Sequence, residues 1–243
     1  MPRKNFPLVV LTLGMLLQTS PVPLRAWNLG PAGLIPTSIS AGTVPVAIVT
    51  QADFNSDGIP ENLSVMDGNA TIVSGSRIVW QSPQAWTVIQ AATTDLNRDN
   101  MPEVALLVWR PFRPWPVDQW LPHGGRIAGF QDAGGQSCHI ILIGWQDGQY
   151  REMWAGSALA EPVKSFSVAD LNGDGLQELV TLEGTYTDPR PRPETPEGSA
   201  PARALKVWEW NGFGFTVVSK IEGTFDKMSL VRANDGRILI LVP

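Results

Sequence analysis

The sequence predicts an all-β protein built from repeated, four-stranded antiparallel units. Three observations carry this prediction. A nine-residue stretch rich in Asp and Asn occurs three times along the 243-residue chain. Short runs of Val, Ile, Leu and Trp flank every copy, as expected of strands that are buried on both faces. Turn-forming sequences such as Asp147-Gly148 and Asn211-Gly212 separate these runs.

The composition excludes several classes of protein. Hydrophobic residues make up 43% of the chain, which is too many for a disordered polyanion. A net charge of −5 leaves no basic stripe to neutralise phosphates, so we expect no nucleic-acid partner. One Cys permits no internal disulfide, and two His with one Cys nearly exclude a metal site built from those residues. Any metal must therefore be held by oxygen atoms.

Residues 1–26 are predicted to be a signal peptide or an N-terminal signal anchor. Arg3 and Lys4 precede an apolar run from Phe6 to Leu17. Such a run of about 12 residues is shorter than the roughly 20 needed to span a bilayer, and it is typical of a secretory signal. The alternative is a buried β-strand with a charged lead-in. We expect a secreted or cell-envelope protein, attached to a membrane only if the signal, with its poor cleavage site near Ala26, stays uncleaved.

The repeated stretch organises residues 27–243 into one domain. Its three copies run from Asp53 to Glu61, from Asp95 to Glu103 and from Asp170 to Glu178. Each copy follows one strand candidate, such as Val46–Thr50 before the first copy, and precedes three more. Three units therefore each have four predicted strands.

The fourth unit is incomplete. It has two strand candidates, Phe225–Val231 and Arg237–Val242, and the chain then stops. Its turn, Ala233–Gly236, lacks the leading Asp and the closing Glu of the other loops, so we predict a plain hairpin there.

Spacing indicates a propeller. The first two loops start 42 residues apart, at Asp53 and Asp95, and a unit of that length with four strands matches a propeller blade better than sandwich strands. Units two and three carry insertions at residues 110–137 and 184–203, each between the second and third strand. The second insertion is dense in Pro, Gly, Ser and Glu, which predicts a flexible loop.

The loops have the chemistry of a calcium site. Asp, Asn and Asp occupy positions one, three and five, Glu occupies position nine, and position seven would offer its backbone carbonyl. Gly58, Asn100 and Gly175 at position six tolerate the positive φ that a sharp turn needs. The candidate ligands are Asp53, Asn55, Asp57, Ile59 and Glu61 in the first loop, Asp95, Asn97, Asp99, Met101 and Glu103 in the second, and Asp170, Asn172, Asp174, Leu176 and Glu178 in the third.

Two features qualify the comparison with other calcium loops. An EF-hand needs a bidentate Glu at position twelve, where this chain has Ser64, Leu106 and Thr181, and the flanking segments here are strands. Asp, Asn and Gly are also ordinary turn residues, so a single copy would be explained by turn formation alone. Three copies with the same four oxygen-bearing side chains favour calcium, with about three ions per chain.

The segments 52–65, 94–105 and 169–180 resemble FG-GAP or VCBS repeats, the units of integrin-α-like β-propellers. The resemblance implies a β-propeller of four-stranded antiparallel blades whose calcium loop joins the first and second strands, and it implies the same ligand set. Propellers of that family commonly have more blades than these three full repeats and a partial fourth. Closure would need an N-terminal strand from about Trp27–Ser40, or a partner chain. An open arc would leave an unpaired edge that favours self-association.

The first insertion is the predicted partner surface. It carries residue types that often anchor interfaces or stack on sugar rings. The candidates are Trp109, Phe112, Arg113, Trp115 and Trp120. The alternative is that these aromatic side chains fold back over the blade as a small core of their own. We expect a protein or glycan partner at this face, which lies opposite the calcium loops.

The leading hypothesis is an exported binding module with structural calcium, and not an enzyme. One alternative is a polysaccharide-active enzyme, for which Asp118, Asp132, Glu152 and Glu161 would be candidate carboxylates without evident pairing. Another is an accessory subunit of a larger envelope assembly. His139 beside Cys138 is predicted to be a strand residue, because no second His lies near a plausible nucleophile.

Overall fold

The computed structural model describes residues 24–40, 42–114, 129–193 and 200–243. Within these ranges, 17 strands form four small antiparallel sheets that are arranged as a four-bladed β-propeller. The predicted all-β fold with four-stranded antiparallel blades is confirmed. No helix among the described residues is long and apolar enough to cross a bilayer.

The strands follow the predicted repeat closely. In chain order they are β1 (Arg25–Gly30), β2 (Gly33–Thr37), β3 (Val44–Pro45), β4 (Gln51–Ala52), β5 (Glu61–Met66), β6 (Asn69–Ser74), β7 (Arg77–Gln81), β8 (Thr87–Thr94), β9 (Glu103–Pro111), β10 (Gln136–Gln146), β11 (Gln149–Ala155), β12 (Val163–Ala169), β13 (Glu178–Glu183), β14 (Ala202–Trp210), β15 (Phe215–Phe225), β16 (Ser229–Arg232) and β17 (Ile238–Val242). Blades one, two and three are β4–β7, β8–β11 and β12–β15, each in sequence order.

The fourth blade joins the two ends of the described chain. Its strand order is β2-β1-β17-β16-β3, and β1 runs antiparallel to β17 with Trp27 opposite Ile240. The expected closure by an N-terminal strand is confirmed, although a hairpin and the short β3 supply it in place of one strand. Strand β1 starts at Arg25, so the predicted boundary after Ala26 falls inside this strand. Residues 1–23 of the predicted signal lie outside the described residues.

Antiparallel order places the connections at alternating ends of each blade. The three acidic loops join first and second strands and so lie at one end, whereas both insertions join second and third strands and lie at the other. Because β9 ends at Pro111 and β10 begins at Gln136, the first insertion comprises 112–135, and the second comprises 184–201. The tight turns also follow the sequence. Asp147 and Gly148 have φ of 51° and 79°, as a two-residue type I′ hairpin requires.

The innermost strand of blade one is shorter than predicted. The sequence predicts this strand at Val46–Thr50. In the structure, the regular pairing with β5 involves the next two residues, Gln51–Ala52. Ile48 and Val49 are 66% and 53% exposed and help to line a central cavity of about 810 Å³. The Val49 carbonyl accepts the Thr93 N–H (3.2 Å), so this segment links blade one to the innermost strand of blade two.

The core lies between the blades. Three apolar clusters join blade one to two, two to three, and three to four, with Phe54, Phe166 and Phe225 among the largest fully buried side chains. Strand β9 is covered on both faces, and Val104–Val108 have no exposed surface. Burial on both faces explains why the central strands are continuous apolar runs.

Candidate metal centre in three repeated loops

The three loops fold into the same tight coil. The carboxylate at position one accepts N–H groups from the far side of the loop, as Asp53 does from Asp57 (3.0 Å) and Gly58 (2.8 Å). The second loop repeats both bonds, and in the third Asp170 accepts from Gly173 and Gly175. Position six has the predicted positive φ in every loop: 87°, 64° and 85° for Gly58, Asn100 and Gly175.

The polar side chains at positions three and five complete each coil. In the first loop, Asn55 Oδ1 accepts the Asp57 N–H and Asp57 Oδ1 accepts the Ile59 N–H. The same two bonds recur in the other loops. Positions one, three, five and seven are thus connected by hydrogen bonds within each loop.

The glutamate at position nine is buried in all three loops. Glu61, Glu103 and Glu178 are 0%, 2% and 0% exposed. Each accepts the N–H of position two with one carboxylate oxygen, at 2.7–2.9 Å. Within the described residues, Glu103 Oε2 is buried without any hydrogen-bond donor. The Glu61 carboxylate instead has the Tyr150 hydroxyl beside it, and burial together with this carboxylate raises the pKa of Tyr150. A buried carboxylate oxygen without a donor is costly unless a cation neutralises it.

Position two anchors each loop in the core. Phe54, Leu96 and Leu171 are 1%, 0% and 4% exposed and belong to three different interblade clusters. Their N–H groups donate to the position-nine carboxylates, so each acidic coil is tied directly to the packing between blades. The sequence shows an apolar residue at position two in every copy, and this regularity could have identified the anchor.

Two of the buried position-nine glutamates have raised pKa values. Burial raises the pKa of Glu103 to about 8; hydrogen bonds from Asn97 and Leu96 oppose this effect, whereas Asp95 and Asp99 add to it. Burial likewise raises the pKa of Glu178 to about 7, with a contribution from Asp174. These carboxylates therefore ionise with difficulty in the absence of a counter-charge.

The second loop brings its acidic groups closest together. One oxygen each from Asp95, Asp99 and Glu103 lies within 4.8 Å of the others, an arrangement that could hold a metal ion. Among the His, Cys, Asp and Glu residues of the described part of the chain, this is the one group of three or more that converges in this way. The loop with Asn100 in place of Gly thus has the most compact acidic group.

Neighbouring loops touch one another, which the sequence did not reveal. Gln177 Oε1 of the third loop accepts hydrogen bonds from Thr94 Oγ1 (2.7 Å) and the Asp95 N–H (2.9 Å). Arg98 of the second loop lies beside Glu178 of the third, with Nη2 3.8 Å from Oε1. The loops are therefore connected parts of one face.

The fourth turn is a plain hairpin, as predicted. The Ala233 N–H donates to the Arg237 carbonyl and the Gly236 N–H donates to the Ala233 carbonyl. The Asp235 carboxylate is occupied by Arg237, with Nη2 to Oδ2 at 2.7 Å.

The predicted partner residues have different environments. Trp109 is 2% exposed and packs between blades two and three, where it meets Tyr186 edge-on at 5.7 Å, so its burial does not fit a partner contact. Phe112 is half-buried and Arg113 is exposed. Trp115 and Trp120 lie outside the described residues.

The two insertions meet at this end of the propeller. Arg190 of the second insertion pairs with Asp132 of the first at 2.9 Å, and it lies over the Trp109 ring at 5.9 Å. Tyr186 donates its hydroxyl to the Leu159 carbonyl, and Asp188 pairs with Lys164. The start of the second insertion is therefore fixed by specific contacts, contrary to the expected flexible loop.

The candidate carboxylates of the enzyme alternative show no common site among the described residues. Asp132 pairs with Arg190, and Glu161 pairs with Lys206. Glu152 is exposed on β11, and Asp118 lies outside the described residues. His139 is a buried strand residue, as expected, hydrogen-bonded to Ser137 Oγ and the Gly156 carbonyl.

Two comparisons with known proteins assign no family to the chain. No protein-family model matches the chain, and a search of curated proteins finds no significant similarity.

Proposed function

We propose that this chain is a calcium-stabilised β-propeller of the FG-GAP/VCBS type that is exported and acts as a binding module. The observation that carries the proposal is the buried glutamate at position nine. Three loops with the same coil each bury this carboxylate, and Glu103 Oε2 has no donor within the described residues. A hard cation in the coil would satisfy that oxygen and neutralise the buried charge.

Calcium fits these donors better than other common metals. Each loop offers carboxylate and amide oxygens, with a carbonyl at position seven, and no Cys or His. Calcium takes six to eight oxygen ligands in flexible geometry, whereas magnesium prefers six at short, nearly ideal distances and retains water. Zinc and copper prefer nitrogen or sulfur ligands.

The proposed role of calcium is structural. Each coil is tied through position two to the packing between two blades, so neutralising its carboxylates would stabilise the adjacent interface. About three ions would bind per chain. Equilibrium dialysis should give that number for the wild type and one fewer for each of Asp57→Asn, Asp99→Asn and Asp174→Asn. Absence of calcium binding by the wild-type chain would overturn the proposal.

The proposed partner is a protein or glycan at the end formed by the two insertions. Exposed Arg113 and half-buried Phe112 are the described residues of the first insertion that support it. A glycan array should show binding that Phe112→Ala with Arg113→Ala reduces. Phe213→Ala is the matched control, because Phe213 is 88% exposed in the β14–β15 connection at the opposite end. Binding that the control reduces and the insertion variant does not would contradict this location.

Export is proposed from the basic and apolar residues at the N-terminus. Because β1 begins at Arg25, a cleavage that preserves the fourth blade must fall before that residue. Mass spectrometry of the chain recovered outside the cytoplasm should show an N-terminus at or before Arg25. Recovery of only the uncleaved chain from the cytoplasm would argue against export.

A further inference from the structure

Arg98 occupies position four of the second loop but points its charge at the third. Its Nη2 lies 3.8 Å from Glu178 Oε1, and the two side chains are 22% and 0% exposed. Arg98 Nε and Nη2 are themselves buried, without a hydrogen-bond acceptor in the described part of the chain. The carboxylate that this guanidinium contacts is thus a proposed calcium ligand of another loop.

The backbone fixes this placement. Arg98 has φ of 64°, a left-handed conformation that position four has in all three loops, with 58° at Ser56 and 81° at Gly173. Gln177, adjacent to Glu178, is held by Thr94 and Asp95 at 2.7 and 2.9 Å. Both ends of the contact are therefore held in position by the same pair of loops.

The other loops have no equivalent cation. Position four is Ser56 in the first loop, where Oγ lies 3.5 Å from Met101 Sδ, and Gly173 in the third. Position eight is Pro60 or Pro102 in the first two loops, so only the third has a side chain such as Gln177 that can be held in this way. The Arg98 contact distinguishes the third loop from the others.

We propose that Arg98 is an internal cation that competes with calcium for Glu178, so that the third loop has the weakest calcium affinity of the three. The inference rests on the proposed calcium function. An arginine side chain stays charged at all ordinary pH values, and a calcium ion bound by Glu178 must approach it closely. Repulsion between these cations, and the loss of the Arg98–Glu178 contact, both weaken binding at the third loop.

Calcium titration of the depleted full-length chain, followed by calorimetry with a competing chelator, tests the proposal. Arg98→Ser introduces the residue that the first loop has at this position, and it should tighten the weakest site by about tenfold or more. Arg98→Lys keeps the charge and should retain most of the weak affinity. Arg98→Gln is neutral but keeps much of the side-chain stem, and it should behave like Arg98→Ser if the serine variant does not fold.

A second variant assigns the effect to a loop. Asp174→Asn removes the third site, so the gain from Arg98→Ser should disappear when the two changes are combined. Arg203→Ser is the matched control, because it removes a 68% exposed positive charge at the start of β14, at the end opposite the acidic loops, and it should leave all affinities unchanged.

The outcomes separate this inference from the proposed function. If the wild type binds no calcium, the proposed function and this inference both fail. If calcium binds and the weakest site is the same in wild type, Arg98→Ser and Arg98→Gln, only the role of Arg98 is refuted. A gain that persists in the Asp174→Asn background would also refute it, because the affected site would then not be the third loop.

Discussion

The backbone N–H of Leu96 donates a hydrogen bond to the buried carboxylate of Glu103 at 2.7 Å. Leu96 is fully buried between blades two and three, and Glu103 begins strand β9. One bond therefore connects the acidic coil with the core and the sheet. Equivalent bonds join Phe54 to Glu61 and Leu171 to Glu178, which makes this connection a property of the repeat.

Replacement of Glu103 by Gln should have opposite effects with and without calcium. Without metal, burial raises the pKa of Glu103 to about 8. At neutral pH the unfolded chain ionises this group and the folded chain does not, which favours unfolding. A neutral amide removes this difference and should preserve or raise the melting temperature. With excess calcium, loss of this proposed ligand should lower the melting temperature by several degrees, since about 1 kcal/mol corresponds to roughly 2–4 °C in a chain of this size.

Differential scanning calorimetry measures both effects. Glu222→Gln is the control, because its side chain is 79% exposed on β15 and should change neither value. A Glu103→Gln variant that melts below the wild type by the same amount in both conditions would show that this carboxylate has no calcium-dependent role.

Truncation of Leu96 should destabilise the protein whether or not calcium is present. Its side chain has no exposed surface, and removing such a side chain leaves a cavity that costs about 2–5 kcal/mol. Leu176→Ala is the matched control, because that leucine is 38% exposed at position seven of the third loop. Chemical denaturation should show a large loss for Leu96→Ala and little for the control, and equal losses would contradict the anchoring role.

Loss of strand β1 should open the propeller. A chain that starts at Leu24 keeps the pairing of β1 with β17, whereas one that starts at Gly33 lacks β1 and the Trp27–Ile240 pair. The shorter chain should melt at a lower temperature and self-associate through the exposed edge of β17. Calorimetry on the two chains measures the melting temperatures, and light scattering measures self-association. Equal melting temperatures would argue against closure by β1.

His139 should make the protein sensitive to mild acid. Burial lowers the pKa of its ring from 6.5 to about 4, although the hydrogen bond to the Gly156 carbonyl opposes this. The folded state therefore resists protonation while the unfolded state accepts it, so the contribution of His139 lowers stability between about pH 6.5 and pH 4. The raised pKa values of Glu103 and Glu178 act in the opposite direction, so the comparison with a His139 variant isolates the histidine. His139→Gln, which does not titrate, should lose less stability than the wild type over this range in a urea-denaturation series at fixed calcium concentration.

Local features of the fold were predictable from the sequence. The acidic coils depend on residues within nine positions of one another, so the repeated pattern carried enough information to predict the positive φ of Gly58, Asn100 and Gly175. Closure by residues near Trp27 followed from the two strands that the fourth unit lacked. Metal ligation at these coils and partner binding at the insertions stay predictions.

Features that depend on distant residues were not predictable. The bond between Asp95 and Gln177 spans 82 positions, and no local pattern indicates it. Trp109 lies at the end of a strand buried on both faces, where alternation cannot distinguish a core side chain from a surface one. Residues Val46–Val49 of the apolar segment Val46–Thr50 line the central cavity. An apolar run that lines a cavity has the same composition as a buried strand, so the sequence predicts a strand there.

The most direct test of the account is the melting temperature of the wild-type chain in excess calcium and in chelator at neutral pH. One site saturated at 100 times its Kd contributes about 2.7 kcal/mol, so occupied loops should raise the melting temperature by at least about 5 °C. An unchanged melting temperature would contradict the claim that these three acidic coils are structural calcium sites.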